Sequence, residues 1–185
     1  GTLLGQTVAI SSDGNTVVAG APNYSSQRGG IVLWRFLNGA WQPGTQLYDG
    51  IQGPFANAGN SIALSADGNT IVAGVTGTLT GNIVIFQYAN GTWTQTIPSN
   101  PAVITNGSGL GNSVGISADG RTIVAGASAW TASQGWVGIW RYNNGSWDSG
   151  TGLQDPGFSS TNATLGSSVS ITSDGTQVIS GARVF

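Results

Sequence analysis

The sequence predicts an all-β chain assembled from β-propeller blades, each a sheet of four antiparallel strands. Three observations predict it. One pattern recurs four times along the chain, turn signals recur with it at fixed offsets, and the stretches between them are rich in Gly, Thr, Ser, Val and Ile with no Lys or Glu. That composition favours strands over helices.

The pattern is Gly5-Gln-Thr-Val-Ala-Ile-Ser-Ser-Asp-Gly-Asn-Thr-Val-Val-Ala-Gly-Ala, and it recurs from Gly59, Gly111 and Gly166. Aligned on its Asp-Gly step, it places Asp13, Asp67, Asp119 and Asp174 at spacings of 54, 52 and 55 residues. A second marker follows in the first three copies: Asn38-Gly-Ala-Trp41, Asn90-Gly-Thr-Trp93 and Asn144-Gly-Ser-Trp147. Asp-Gly and Asn-Gly between alternating apolar runs predict two-residue hairpins, whose central residues need positive φ.

Each copy thus holds four short strands, which in the first are Gln6–Ser11, Thr16–Ala21, Gly30–Phe36 and Ala40–Leu47. Alternation supports the first, since Val8 and Ile10 point one way, as do Ile62 and Leu64, Val114 and Ile116, and Val169 and Ile171. The second strand is a continuous apolar run (Val17-Val-Ala-Gly and its copies), as burial on both faces requires, and its closing Gly lets neighbouring sheets approach. The third carries Ile-Val-Leu-Trp. The copies divide one repeat domain, residues 1–185, into blades at about 4–57, 58–109 and 110–164 and a half blade at 165–185.

Leu4-Gly5, Val8-Ala-Ile-Ser, Gly20-Ala-Pro22, Gly30-Ile-Val-Leu-Trp and the Gly-x-Trp step together resemble the FG-GAP repeat of bacterial surface proteins and the integrin α-chain. The resemblance covers essentially the whole chain, with Leu-Gly or Ala-Gly in place of Phe-Gly. Only the first copy keeps Gly-Ala-Pro; the others read Gly74-Val-Thr, Gly126-Ala-Ser and Gly181-Ala-Arg. It implies a propeller, often of seven blades, in extracellular adhesion or surface structure.

Composition removes whole classes of chemistry. The chain has no His, Cys, Lys, Glu or Met. It therefore offers no zinc site of the usual kind, no thiolate, no His-based triad and no P-loop lysine. Its five cations, Arg28, Arg35, Arg121, Arg141 and Arg183, are too few and scattered to neutralise a phosphate backbone, so nucleic acid is not an expected partner. No apolar stretch reaches the roughly 20 residues of a membrane span, so no membrane insertion is expected. A carboxylate pair is the one glycosidase option left, yet four of the seven Asp residues occupy equivalent turns on separate blades. The expectation is a protein that is not an enzyme.

Asp13, Asp67, Asp119 and Asp174 are read as repeat turns. Calcium is the alternative at these four, but each loop brings one carboxylate, whereas calcium takes six to eight oxygens. No cofactor is otherwise expected. Among the seven tryptophans, Trp34 and Trp140, with Phe86 between them, repeat on the third strand. Trp41, Trp93 and Trp147 repeat after the Asn-Gly turn. Recurrence in register marks both sets for core or inter-blade packing. Trp130 and Trp136 have no counterpart in other copies and are the candidates for stacking on a sugar or gripping a partner, against a plainer reading as loop packing. Asn-x-Ser/Thr acceptors for N-glycosylation stand at Asn23, Asn90, Asn106, Asn144 and Asn162, in turns and loops.

Three and a half blades do not close a ring, and an open strand edge calls for cover. The expected partners are copies of this chain, joined through the incomplete blade, or further blades of a longer chain; glycans are a further candidate. The function expected is a non-enzymatic extracellular or cell-surface structural or adhesion module that self-associates, as a filament or surface layer. A lectin-like propeller is the alternative, and a calcium-dependent adhesion module a further one.

Overall fold

The computed structural model describes residues 3–47, 56–154 and 163–183. The chain is all-β. Strand β1 (Thr7–Ile10) pairs antiparallel with β2 (Thr16–Gly20), and β2 with β3 (Ile31–Leu37), each within one residue of its sequence-predicted bounds. The fourth strand is broken into β4 (Ala40–Trp41) and β5 (Thr45–Leu47), both paired to β3. Pro43 has no N–H to give the ladder. Gly44 lies under the Trp34 indole, 2.8 Å from where a Cβ would stand.

The second sheet, β6 (Ala58–Leu64), β7 (Thr70–Val75), β8 (Asn82–Ala89) and β9 (Thr92–Thr96), keeps its last strand whole. The third, β10 (Ser113–Ile116), β11 (Thr122–Gly126), β12 (Val137–Asn143), β13 (Ser146–Trp147) and β14 (Thr151–Leu153), is broken like the first. Here Asp148 Oδ1 holds the gap, accepting from the N–H of Arg141 (3.1 Å) and Gly150 (3.0 Å). A two-stranded sheet, β15 (Ser168–Ile171) and β16 (Val178–Gly181), follows. Two short turns that the sequence did not announce, Tyr24–Gln27 and Trp130–Ser133, join second to third strands in copies one and three; the first is left-handed, with positive φ at Ser25 (52°), Ser26 (60°) and Gln27 (64°).

The Asn-Gly steps are the two-residue hairpins expected, with positive φ at both residues: Asn38 (53°) and Gly39 (79°), Asn90 (51°) and Gly91 (85°), Asn144 (51°) and Gly145 (85°). The Asp-Gly steps are not. Ile10 faces Val17 and the Ser11 N–H donates to Thr16 O (2.9 Å), so a longer loop separates β1 from β2. Only its Gly14 has positive φ, because the Asp13 side chain supplies the turn's hydrogen bonds instead.

Successive sheets stack through their inner strands, β1 on β6, β6 on β10 and β10 on β15. Three apolar clusters fill the spaces between them. The first joins Val18, Ile31 and Leu33 to Ile71, Ala73 and Phe86; the second joins Val72, Ile83 and Ile85 to Ile123, Trp136 and Trp140; the third sets Val124, Val137 and Ile139 against Val169, Ile171 and Val178. Each fully buried Val or Ile contributes about 1.5–3 kcal/mol. Among the described residues no closed ring of sheets forms.

Candidate functional site

The residues singled out by the sequence fall into a column of turns, two sheet faces and an outer rim. In the column, the Ser11 hydroxyl donates to Asp13 Oδ1 (2.6 Å) and accepts from the Thr16 N–H (2.9 Å), while Oδ1 also accepts from the Asn15 N–H (2.9 Å). The same arrangement holds Asp67 with Ser65 (2.6 Å), Asp119 with Ser117 (2.6 Å) and Asp174 with Thr172 (2.5 Å). These donors favour the ionised carboxylate. The pKa values of Asp13, Asp119 and Asp174 are lowered, in each case first by the neighbouring hydroxyl and then by the backbone amide two residues on. At Asp67 burial pushes upward and is outweighed by Ser65 and Asn69, so that it too is lowered. Each carboxylate serves its own turn, and among the described residues no three acidic groups gather at one point.

The turns are linked to one another by backbone. Ser12 N–H donates to Ala66 O (2.9 Å), Ala66 N–H to Ala118 O (3.0 Å) and Ala118 N–H to Ser173 O (2.9 Å). A second column runs at the opposite ends of the inner strands. There Thr7 Oγ1 donates to Gly59 O (2.7 Å), Ser61 Oγ to Gly111 O (2.6 Å) and Ser113 Oγ to Gly166 O (2.8 Å).

Among the described residues, the outermost faces lack these neighbours. Val8 and Ile10 are 66% and 62% exposed, although their equivalents in later copies pack against the sheet before. Ile179 is 71% exposed, where Val18, Val72 and Val124 are fully buried against the sheet after. Trp41 is exposed for the same reason, while Trp93 and Trp147 pack on the first and second clusters. The expectation of inter-sheet packing therefore holds for Trp93 and Trp147 and fails for Trp41.

Trp136 is no surface contact: it is fully buried, edge-on to Trp140 with ring centroids 6.2 Å apart. This corrects its reading as a ligand contact. The reason is an exchange of volume, for Gly138 stands where the other copies have Val32 and Val84, and Gly152 where the first has Gln46. A Cβ on either glycine would meet the Trp136 ring at 2.5 Å or less. The small-for-large swap at Gly138 was the signal available in the sequence. Trp130 is half-buried; its Nε1 donates to Val103 O (2.7 Å) and its ring packs on the second cluster, so it secures a connection. The acceptors Asn23, Asn90, Asn106 and Asn144 are exposed, and Asn162 lies outside the described residues.

On the rim, neighbouring outer hairpins enclose two grooves with no direct sign in the sequence. One, of about 390 Å³, is lined by Thr94, Thr96, Ser99, Tyr142, Ser146 and Trp147. The other lies between Arg35 and the Tyr88–Trp93 pair, with the guanidinium 3.9 Å from the Tyr88 ring centroid.

No protein-family model matches the sequence and no curated protein matches it, so the FG-GAP resemblance rests on its residues alone. By structure the chain is similar to Kuenenia stuttgartiensis hydrazine synthase, with a TM-score of 0.58 at 13% sequence identity over 94% of this chain. It spans 54% of that chain, about half its length. At this identity the likeness is one of fold. It nonetheless corrects the expectation that the chain stands apart from enzymes, because sheets of this design occur within one. Composition limits which residues here could act, but it does not place the scaffold outside catalytic proteins.

Proposed function

We propose that the chain is a run of propeller blades serving as a structural or adhesive module at the cell surface or outside it, and that it self-associates through its two-stranded fourth sheet. The supporting observation is the contrast between exposed Val8, Ile10 and Ile179 and their buried equivalents. Exposed apolar sheet faces beside unpaired strand edges invite a further sheet. The FG-GAP resemblance supports the extracellular setting, and the exposed Asn-x-Ser/Thr acceptors are compatible with it. Sedimentation of the chain over a range of concentrations tests the reading: mass rising with concentration supports it, and a monomer throughout rejects it.

A second reading, carbohydrate binding, is favoured by the rim groove at Tyr142 and Trp147, where aromatic rings stand among Thr and Ser hydroxyls. Glycan-array binding that disappears in Trp147→Ala would support it over the first. Binding that survives in Trp147→Ala would place the sugar elsewhere.

A further inference from the structure

Resting on the carbohydrate reading, we infer that the groove between the second and third sheets takes a neutral pyranose on the ring face of Tyr142. Gln87 leaves that face free, whereas in the matching groove one sheet earlier Arg35 covers it. The two grooves are the same place in successive copies. Gln87 faces Thr70 across the second and third strands as Arg35 faces Thr16. Tyr142 pairs with Trp147 across the outer hairpin as Tyr88 pairs with Trp93.

What differs is the side chain over the ring. Between the first and second sheets, the Arg35 guanidinium carbon lies 3.9 Å from the Tyr88 centroid and 5.3 Å from that of Trp93, anchored by Nη2 to Asn69 Oδ1 (3.1 Å). That groove measures about 290 Å³. Between the second and third sheets, Gln87 replaces Arg35 and Arg121 replaces Asn69; the Tyr142 N–H donates to Arg121 O as the Tyr88 N–H does to Asn69 O (2.8 Å each). Both halves of the plug are gone, the stacking cation and the amide that anchors it. Among the described residues no cation stands over Tyr142 or Trp147, and the groove widens to about 390 Å³.

The surroundings of the free ring define its occupant. An aromatic face is negative and draws positively polarised hydrogens, those of a cation or the C–H groups of a sugar ring. A ligand guanidinium would find Arg121 where the anchoring amide belongs, so a cation is disfavoured. The hydroxyls of Thr94, Thr96, Ser99 and Ser146 and the Gln87 amide line the groove, and each can both donate and accept, as sugar hydroxyls require. Among the described residues no charged side chain lines it, so a carboxylated or sulfated sugar would lose water there with no counter-charge. A neutral pyranose meets both demands, with an apolar face for the ring and hydroxyls for the polar wall.

The test uses the chain made in a host without N-glycosylation, because Asn144 adjoins Gly145 and Ser146 on the groove wall. A printed array of neutral and acidic glycans finds the best binder, and calorimetric titration with it measures affinity. The wild-type chain should bind a neutral glycan one to one. Gln87→Arg combined with Arg121→Asn transplants the whole plug and should weaken binding about tenfold or more, while Arg121→Asn alone should bind as the wild type does. Tyr142→Leu keeps the apolar bulk, removes the ring face and should weaken binding as much; circular dichroism melts check that each variant folds. If no glycan on the array is bound, the carbohydrate reading itself fails and the inference with it. If a glycan binds but the transplanted plug or Tyr142→Leu leaves its affinity unchanged, if Arg121→Asn alone accounts for the loss, or if only acidic glycans bind, the carbohydrate reading stands and the neutral site on Tyr142 is overturned.

Discussion

Gly74 meets Gly111 backbone to backbone: a Cβ added to Gly74 would lie 1.8 Å from the Gly111 carbonyl oxygen. The same approach joins Gly20 to Gly59 (2.1 Å) and Gly126 to Gly166 (1.9 Å). These contacts set how near the sheets come, and the hydroxyl bond from Ser61 to Gly111 depends on that nearness. Gly74→Ala should therefore destabilise at or beyond the upper end of the about 1–3 kcal/mol typical of overpacking. Gly181→Ala should cost much less, since its nearest neighbour is the rotatable Ser168 hydroxyl. Urea denaturation of both variants measures the difference.

Acid should weaken the fold through the column of turns. Asp13, Asp67, Asp119 and Asp174 all have folded pKa values below the ordinary one of about 3.9, so each contributes stability that is present above that value. It is lost as pH falls through the lowered folded value. The urea midpoint should thus decline between about pH 5 and pH 2, and replacing the four Asp residues by Asn should flatten the decline. An equally steep decline in the Asn variant would assign the acid sensitivity elsewhere.

Trp136 and Trp140 are both buried, but only Trp140 has a partner for its N–H, Ser99 O at 3.1 Å. Trp136 Nε1 has none among the described residues. Trp140→Phe gives up that hydrogen bond to the exposed Ser99 and should cost about 0.5–1.5 kcal/mol beyond the cavity, whereas Trp136→Phe removes an unpaired polar group and should cost less. Truncation of either to Ala should cost about 3–5 kcal/mol. Thermal melts of the four variants rank them.

What the sequence made legible is what repeats and what acts locally. The Asn-Gly hairpins, the alternation of Val8 and Ile10 and the close-approach glycines depend on neighbours a few residues away or on the same position in the next copy. Trp136 escaped that reading because its burial depends on Gly138 and on Gly152 across the β12–β14 pairing, a single departure from the repeat rather than an instance of it. The Asp-Gly loop departs from the expected two-residue hairpin because the Asp13 side chain supplies its hydrogen bonds and only Gly14 takes positive φ. The rim grooves were hidden for a further reason: they lie between copies, and residues such as Thr96 and Trp147 become neighbours only once the sheets are stacked.

The three Asn-Gly hairpins provide their own control for glycosylation. Asn90 and Asn144 are followed by Thr92 and Ser146, whereas Asn38 has Ala40 at that place in the same turn geometry. Expressed through an N-glycosylating secretory pathway, the chain should carry glycan at Asn90 and Asn144 and none at Asn38. Peptide mapping before and after enzymatic glycan removal reads this directly. Ala40→Thr should create a third modified turn.

Arg35 joins the first sheet to the second through a stacked contact rather than an ion pair. Its guanidinium carbon lies 3.9 Å from the Tyr88 ring centroid and 5.3 Å from that of Trp93, and Nη2 donates to Asn69 Oδ1 (3.1 Å). A planar guanidinium can do both at once; an ammonium cannot. A double-mutant cycle on Arg35→Ala and Tyr88→Ala should return a coupling of about 0.5–2 kcal/mol, because the site is half-buried. Arg35→Lys should recover only part of it. Arg141, the equivalent residue in the third copy, is exposed and serves as comparison, so Arg141→Ala should change stability by no more than about 0.5 kcal/mol.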